Sequence, residues 1–179
     1  DDIGILHTIR EIPGFLSFAV IFMLLIIREQ LLGLLSLLLL GLATAVTAQF
    51  PTLGGILMVT LFSSIGFHWY ETVNQSLQLQ WIKKDRAPQV LGWLLAAGSA
   101  GTFAAYGAIV LTWQTLDLSF SFVYWVAGGI TALIALYCLV VFPHFESPNP
   151  QRREMVLKRE YWLYYALQFL SGARRQIFV

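Results

Sequence analysis

Ser63–Ile82 reads SSIGFHWYETVNQSLQLQWI. It continues an apolar run, Leu53 to Phe62, and no proline interrupts it. Yet it carries His68, Glu71, Asn74, Gln75 and Gln78 among Phe, Trp, Leu and Val. At about 3.6 residues per turn, positions 68, 71, 75 and 78 fall on one helical face, with 74 beside them. A polar stripe on a helix that otherwise suits lipid is costly, and such stripes face a bundle interior or a watery cavity. The stretch therefore predicts a membrane-spanning helix whose polar face has something to meet.

The rest of the composition agrees with a membrane setting. The chain is 58% hydrophobic and 12% charged, with a mean hydropathy of +0.70. A soluble domain carries about 25% charged residues. The apolar residues form long runs between short polar breaks, each near the roughly 20 residues that a transmembrane helix needs. The ~10-residue alternating segments of a membrane β-barrel do not occur. The expected class is all-α: a polytopic bundle of about five complete spans and a truncated sixth.

In chain order, the first span covers about Ile3 to Ile27 and contains Pro13-Gly14. The second, Leu31 to Gln49, is nearly all Leu, Ala, Gly and Val. The third is the long one, about Leu53 to Ile82. A charged turn, Lys83-Lys84-Asp85-Arg86, leads to Pro88, which suits the first turn of a helix. The fourth span, about Gln89 to Trp113, is rich in small residues. Its Ala97/Gly101 and Gly101/Ala105 spacings predict close helix approach. The fifth, Phe120 to Phe142, has no charge. Three regions follow: a transmembrane bundle over 1–142, a polar linker over 143–160, and the start of a further helix over 161–179.

Successive span ends alternate sides. Arg28, then Lys83, Lys84 and Arg86, then Arg152, Arg153, Lys158 and Arg159 fall on one side. Asp1, Asp2 and Asp117 fall on the other, whose loops have no Lys or Arg. Basic loops stay cytoplasmic. The expected location is a multi-pass integral membrane protein of a plasma or bacterial inner membrane.

Much chemistry is excluded. A net charge of +1 gives no reason to expect nucleic acid. Cys138 is the only cysteine, so no intramolecular disulfide or cysteine metal cluster is expected. His68 and Glu71 form H-x-x-E and not the H-E-x-x-H of zinc enzymes. No catalytic residue, metal site or cofactor is predicted, and no enzyme.

The layout resembles the major facilitator superfamily of secondary transporters. HTIREIPGFLSF, from His7, looks like the family's second helix with its internal Pro13-Gly14. WIKKDRAPQVLGWLLAAGSAGTFAAYG, from Trp81, looks like the short turn into a glycine-rich fifth helix. The linker at 143–160 stands where that family joins its two six-helix halves. The resemblance makes the spans the second through sixth helices and the start of the seventh. The chain is then a fragment completed by a missing remainder of the same chain. Its opening Asp1-Asp2 and its apolar end Ile177-Phe178-Val179 fit that expectation. The family's signature loop between helices two and three is replaced here by FAVIFMLLIIREQLLG, which keeps only Arg28 and Glu29.

The resemblance places the stripe on the fourth helix, which lines the family's central cavity. His68, Glu71, Asn74, Gln75 and Gln78 then line a solute path, and Glu71 is a candidate to bind and release a proton. The same amides can instead join neighbouring helices, and Gln78 and Gln80 can sit at the cytoplasmic interface. Arg174 and Arg175 lie about four turns into the last span. One of them would suit an anionic group of a solute. The alternatives are an ion pair, with Glu71 as a candidate partner, or an interfacial position. His7, Arg10 and Glu11, at helical spacing on the first span, are an ion pair or gate near the cavity mouth, or residues snorkelling at the interface. The expected partners are a small-molecule solute and the lipid bilayer. The expected function is secondary active transport by alternating access. The alternative is a non-transporting membrane binding or assembly subunit.

Overall fold

A computed structural model describes residues 2–15, 19–144 and 158–167. Among these the regular structure is all helical, without a strand. The helices are α1 (Asp2–Phe15), α2 (Ala19–Leu24), α3 (Glu29–Val46), α4 (Leu53–Trp81), α5 (Ala87–Thr112) and α6 (Phe120–Val141). Four of them, α3 to α6, are long and apolar enough to cross a membrane, as in an integral membrane protein.

Local chemistry explains most boundaries. α3 runs into a 3₁₀ turn at Thr47–Gln49, just before Pro51. Thr52 caps α4, its hydroxyl accepting from the Gly55 N–H at 3.2 Å. Pro88 sits in the first turn of α5, where its missing N–H costs nothing. Asp117 takes the left-handed conformation, φ 47°, that Asp tolerates better than most residues. Ser119 then caps α6 by accepting from Phe122 N–H at 3.2 Å.

Of the expected first span, α1 is described to Phe15 and α2 from Ala19, and neither described piece reaches spanning length by itself. Pro13 lies inside α1 and removes the N–H that would reach the Ile9 carbonyl. Of the expected last span, only a 3₁₀ turn at Arg159–Tyr161 and the helical residues 162–167 are described.

The helices pack in the order α1, α4, α3, α6, with α3 between α4 and α6. Lipid offers little force to push apolar helices together, so backbone proximity has to provide attraction. The α3–α6 crossing consists of small residues. A Cβ added to Gly41 would lie 2.5 Å from the Ala132 nitrogen, and one on Gly128 would lie 2.6 Å from the Ala45 Cα. The α3–α4 contact works likewise: a Cβ on Gly66 would meet the Leu40 nitrogen at 2.7 Å and the Ser36 carbonyl at 2.8 Å. Beside it, Val20, Leu32 and Val73 form a small buried cluster, covered by Met23, Ile27, Trp69 and Leu77.

α5 differs. None of its residues is buried. A Cβ placed on Gly92, Gly98, Gly101 or Gly107 would have nothing within 4 Å. The close approach expected at Ala97/Gly101 and Gly101/Ala105 is therefore found on α3, α4 and α6 instead.

Candidate functional site

α4 has 29 residues, about 44 Å of helix, which exceeds the ~30 Å hydrocarbon core. Its midpoint falls at residue 67, so His68 and Glu71 lie near the middle and Gln78 near one end. At about 100° per residue, Ser64, His68, Glu71, Gln75 and Gln78 occupy an arc of about 80°. Val59, Gly66 and Val73, buried in the structure, lie on the opposite side. The polar stripe is thus the face turned away from α3.

The first part of that face meets α1. The Ser64 hydroxyl donates to the Arg10 carbonyl, next to the Ile9 carbonyl that Pro13 leaves without its helical partner. One turn further on, the His68 ring lies against the Gly14 backbone. A Cβ there would be 2.9 Å from both Cε1 and Nε2. Gly14 is what lets the imidazole come so close. His68 also makes an edge contact with Phe67, 5.2 Å between ring centres.

Beyond His68 the stripe has fewer partners. Glu71, Asn74 and Gln78 are half-buried and Gln75 is exposed. Gln75 Nε2 reaches Glu71 Oε1 at 3.5 Å, a long contact within α4 itself. Among the described residues, these four side chains have no hydrogen bond to another helix. Thr72, adjacent to the stripe, returns its hydroxyl to the His68 carbonyl at 2.8 Å.

Gln80, on the α3-facing side, does bridge helices. Its Nε2 donates to Glu29 Oε2 at 2.7 Å and to the Ser76 hydroxyl at 3.1 Å. Glu29 Oε1 is buried without a partner among the described residues. Next to it, Gln30 Nε2 donates to the Pro143 carbonyl at 3.1 Å. The first turn of α3 thereby ties together the ends of α4 and α6. In sequence, Glu29 and Gln30 read as a bare connection; the signal lies in Gln80, whose place on α4 points toward α3.

Arg10 and Glu11 form an ion pair at 3.1 Å, between neighbours on α1, with Arg10 half-exposed. Arg174 and Arg175 lie outside the described residues. On α5, Thr102 donates to the Gly98 carbonyl of its own helix at 3.0 Å and Tyr106 is largely exposed. An open groove runs between them, lined by Leu94, Leu95, Gly98 and Phe103. Among the described residues no group of His, Cys, Asp and Glu is arranged to hold a metal ion. Comparison of the chain with protein-family models, with curated proteins and with solved structures gives no match.

Proposed function

We propose that this chain belongs to a secondary active transporter of major-facilitator type, moving a small solute across a membrane by alternating access. The observation that carries the reading is the part of the α4 stripe that makes no bond to another helix among the described residues. Glu71, Asn74, Gln75 and Gln78 share one side of a long apolar helix and bond to no other helix among the described residues. Side chains joining helices would have such bonds. Side chains that meet water or a solute would not, and the cost of polar groups at membrane depth then falls.

In this reading α4 borders the solute path. The amides of Asn74, Gln75 and Gln78 offer both donors and acceptors to a polar solute. Glu71, near mid-helix, is the group that exchanges a proton as the path opens to one side and then the other. Ser64 and His68 seat the same face on α1, so a shift of α1 along α4 is a natural way to open or close it. Arg174 or Arg175 would take an anionic group of the solute. The basic loops face the cytoplasm.

The test uses the full protein in sealed vesicles loaded with a pH-sensitive dye. Candidate solutes are added one at a time, with and without an imposed proton gradient. Solute-dependent proton movement that Glu71→Gln abolishes, while solute binding survives, is the expected result. Coupling that is unchanged in Glu71→Gln removes Glu71 from the mechanism.

The helix α5 supports a second reading, a non-transporting assembly subunit, because none of its residues is buried. The gene decides between them. About twelve encoded hydrophobic spans favour the transporter; six spans and a co-purifying partner favour the subunit.

A further inference from the structure

We infer that the turn between α4 and α5 is a docking surface for the headgroup of an anionic phospholipid. Only residues 82–86 separate the two helices. Fully extended, such a segment reaches roughly 17 Å, and here it is folded tighter. The Arg86 N–H donates to the Lys83 carbonyl at 3.0 Å, which closes the turn. With a long apolar helix on either side, the turn cannot rise clear of the membrane surface. This inference rests on the membrane setting of the proposed function and not on transport.

The turn carries Lys83, Lys84 and Arg86 against a single acid, Asp85, and all are exposed. Among the described residues none of these cations has a side-chain hydrogen bond or an ion pair, with Asp85 or with any other acid. Three exposed cationic residues thus share one five-residue turn, with no side-chain partner among the described residues. Indoles flank them: Trp81 at the end of α4 is 42% exposed and Trp93 on α5 is 65% exposed. Tryptophan favours the headgroup layer, which fixes the depth of the cluster at the lipid phosphates. A phosphodiester with a neutral or hydroxylated headgroup matches this arrangement in charge and in depth. A zwitterionic lipid brings its own cation and matches it less well. A basic segment at that level attracts anionic lipid by about 1 kcal/mol per cation, which corresponds to about fivefold in association.

The experiment reconstitutes the full protein in phosphatidylcholine vesicles. Trace spin-labelled phosphatidylglycerol is compared with spin-labelled phosphatidylcholine for the share held at the protein surface. The variants are K83Q/K84Q/R86Q and, as a control on the other described basic pair, K158Q/R159Q. An alkaline carbonate wash precedes each measurement. The expected result is a preference for phosphatidylglycerol that weakens in salt, falls by at least about fivefold in the triple variant, and survives in the control. Protein that stays embedded but shows no preference overturns the lipid site and leaves the membrane reading standing. Equal loss in both variants shows diffuse attraction to total charge and also overturns the site. Protein that washes off the vesicles overturns the membrane reading, and this inference with it.

Discussion

Gly128→Ala and Gly101→Ala make the same chemical change on two membrane-length helices, and the structure predicts opposite results. Neither glycine uses a left-handed backbone, so each alanine gains about 1 kcal/mol of helix propensity. At Gly101 nothing lies within 4 Å of the new methyl group, and the gain stands. At Gly128 the methyl group would lie 2.6 Å from the Ala45 Cα and against the Ala45 nitrogen and the Gly41 carbonyl. Carbon atoms rest about 3.5–4.0 Å apart, so α3 and α6 must separate by about 1 Å. A gap of that size removes up to about half of the ~0.1–0.2 kcal/mol that each atom pair contributes. Across on the order of 40 pairs the loss is about 3 kcal/mol. Net of propensity, Gly128→Ala is destabilised by about 2 kcal/mol. Cys138, the only cysteine, sits on α6. A thiol-reactive fluorophore therefore reports the helix leaving its neighbours during thermal unfolding in mild detergent. Gly101→Ala should unfold at or above the native temperature, and Gly128→Ala well below it. Ala45→Gly should not rescue Gly128→Ala, because the colliding atoms at 45 are backbone. If the two variants unfold at the same temperature, the small-residue account of the α3–α6 crossing is refuted.

Other expectations concern the contacts of α4. Gly14→Ala should destabilise by about 1–3 kcal/mol through its collision with His68, and adding His68→Ala should recover part of that; the double-mutant cycle in detergent unfolding measures it. Ser64→Ala loses the bond to the Arg10 carbonyl and should cost about 0.6 kcal/mol, the average for a hydrogen bond between membrane helices. Gln80→Leu leaves both oxygens of Glu29 without a partner among the described residues and should cost about 1–3 kcal/mol. The pair Glu29→Leu with Gln80→Leu should cost less than Gln80→Leu alone, which unfolding of all three variants would check.

The α4 helix is the easiest element to read. Its apolar length announces a span, its polar residues repeat at helical spacing, and the structure extends it over Leu53–Trp81. The spans α3, α5 and α6 are legible for the same reason, with Pro51, Pro88 and Pro143 marking their limits. The first span is harder. Its hydropathy is continuous across Pro13-Gly14, and residues 16–18, between α1 and α2, lie outside the described residues. At the candidate site, the shared face of His68, Glu71, Gln75 and Gln78 follows from periodicity. Which of them touch another helix does not. His68 is taken up by Gly14, a residue far away in the chain, whereas Glu71 and Gln78 have no hydrogen bond to another helix among the described residues. The small residues of α5 are the more conspicuous in sequence, yet those of α3 and α6 make the contacts.

Residue order alone dictates where the helices lie and which face of α4 is polar. Those properties depend on neighbours within a few residues: side-chain hydropathy, caps, prolines and the helical repeat. Packing of distant segments settles that Gly41 meets Gly128, that His68 rests on Gly14 and that Gln80 reaches Glu29. In lipid every apolar helix surface is nearly equivalent to its surroundings. Pairing is then selected by how closely two backbones fit and by a few hydrogen bonds between distant segments, neither of which is written in the local pattern.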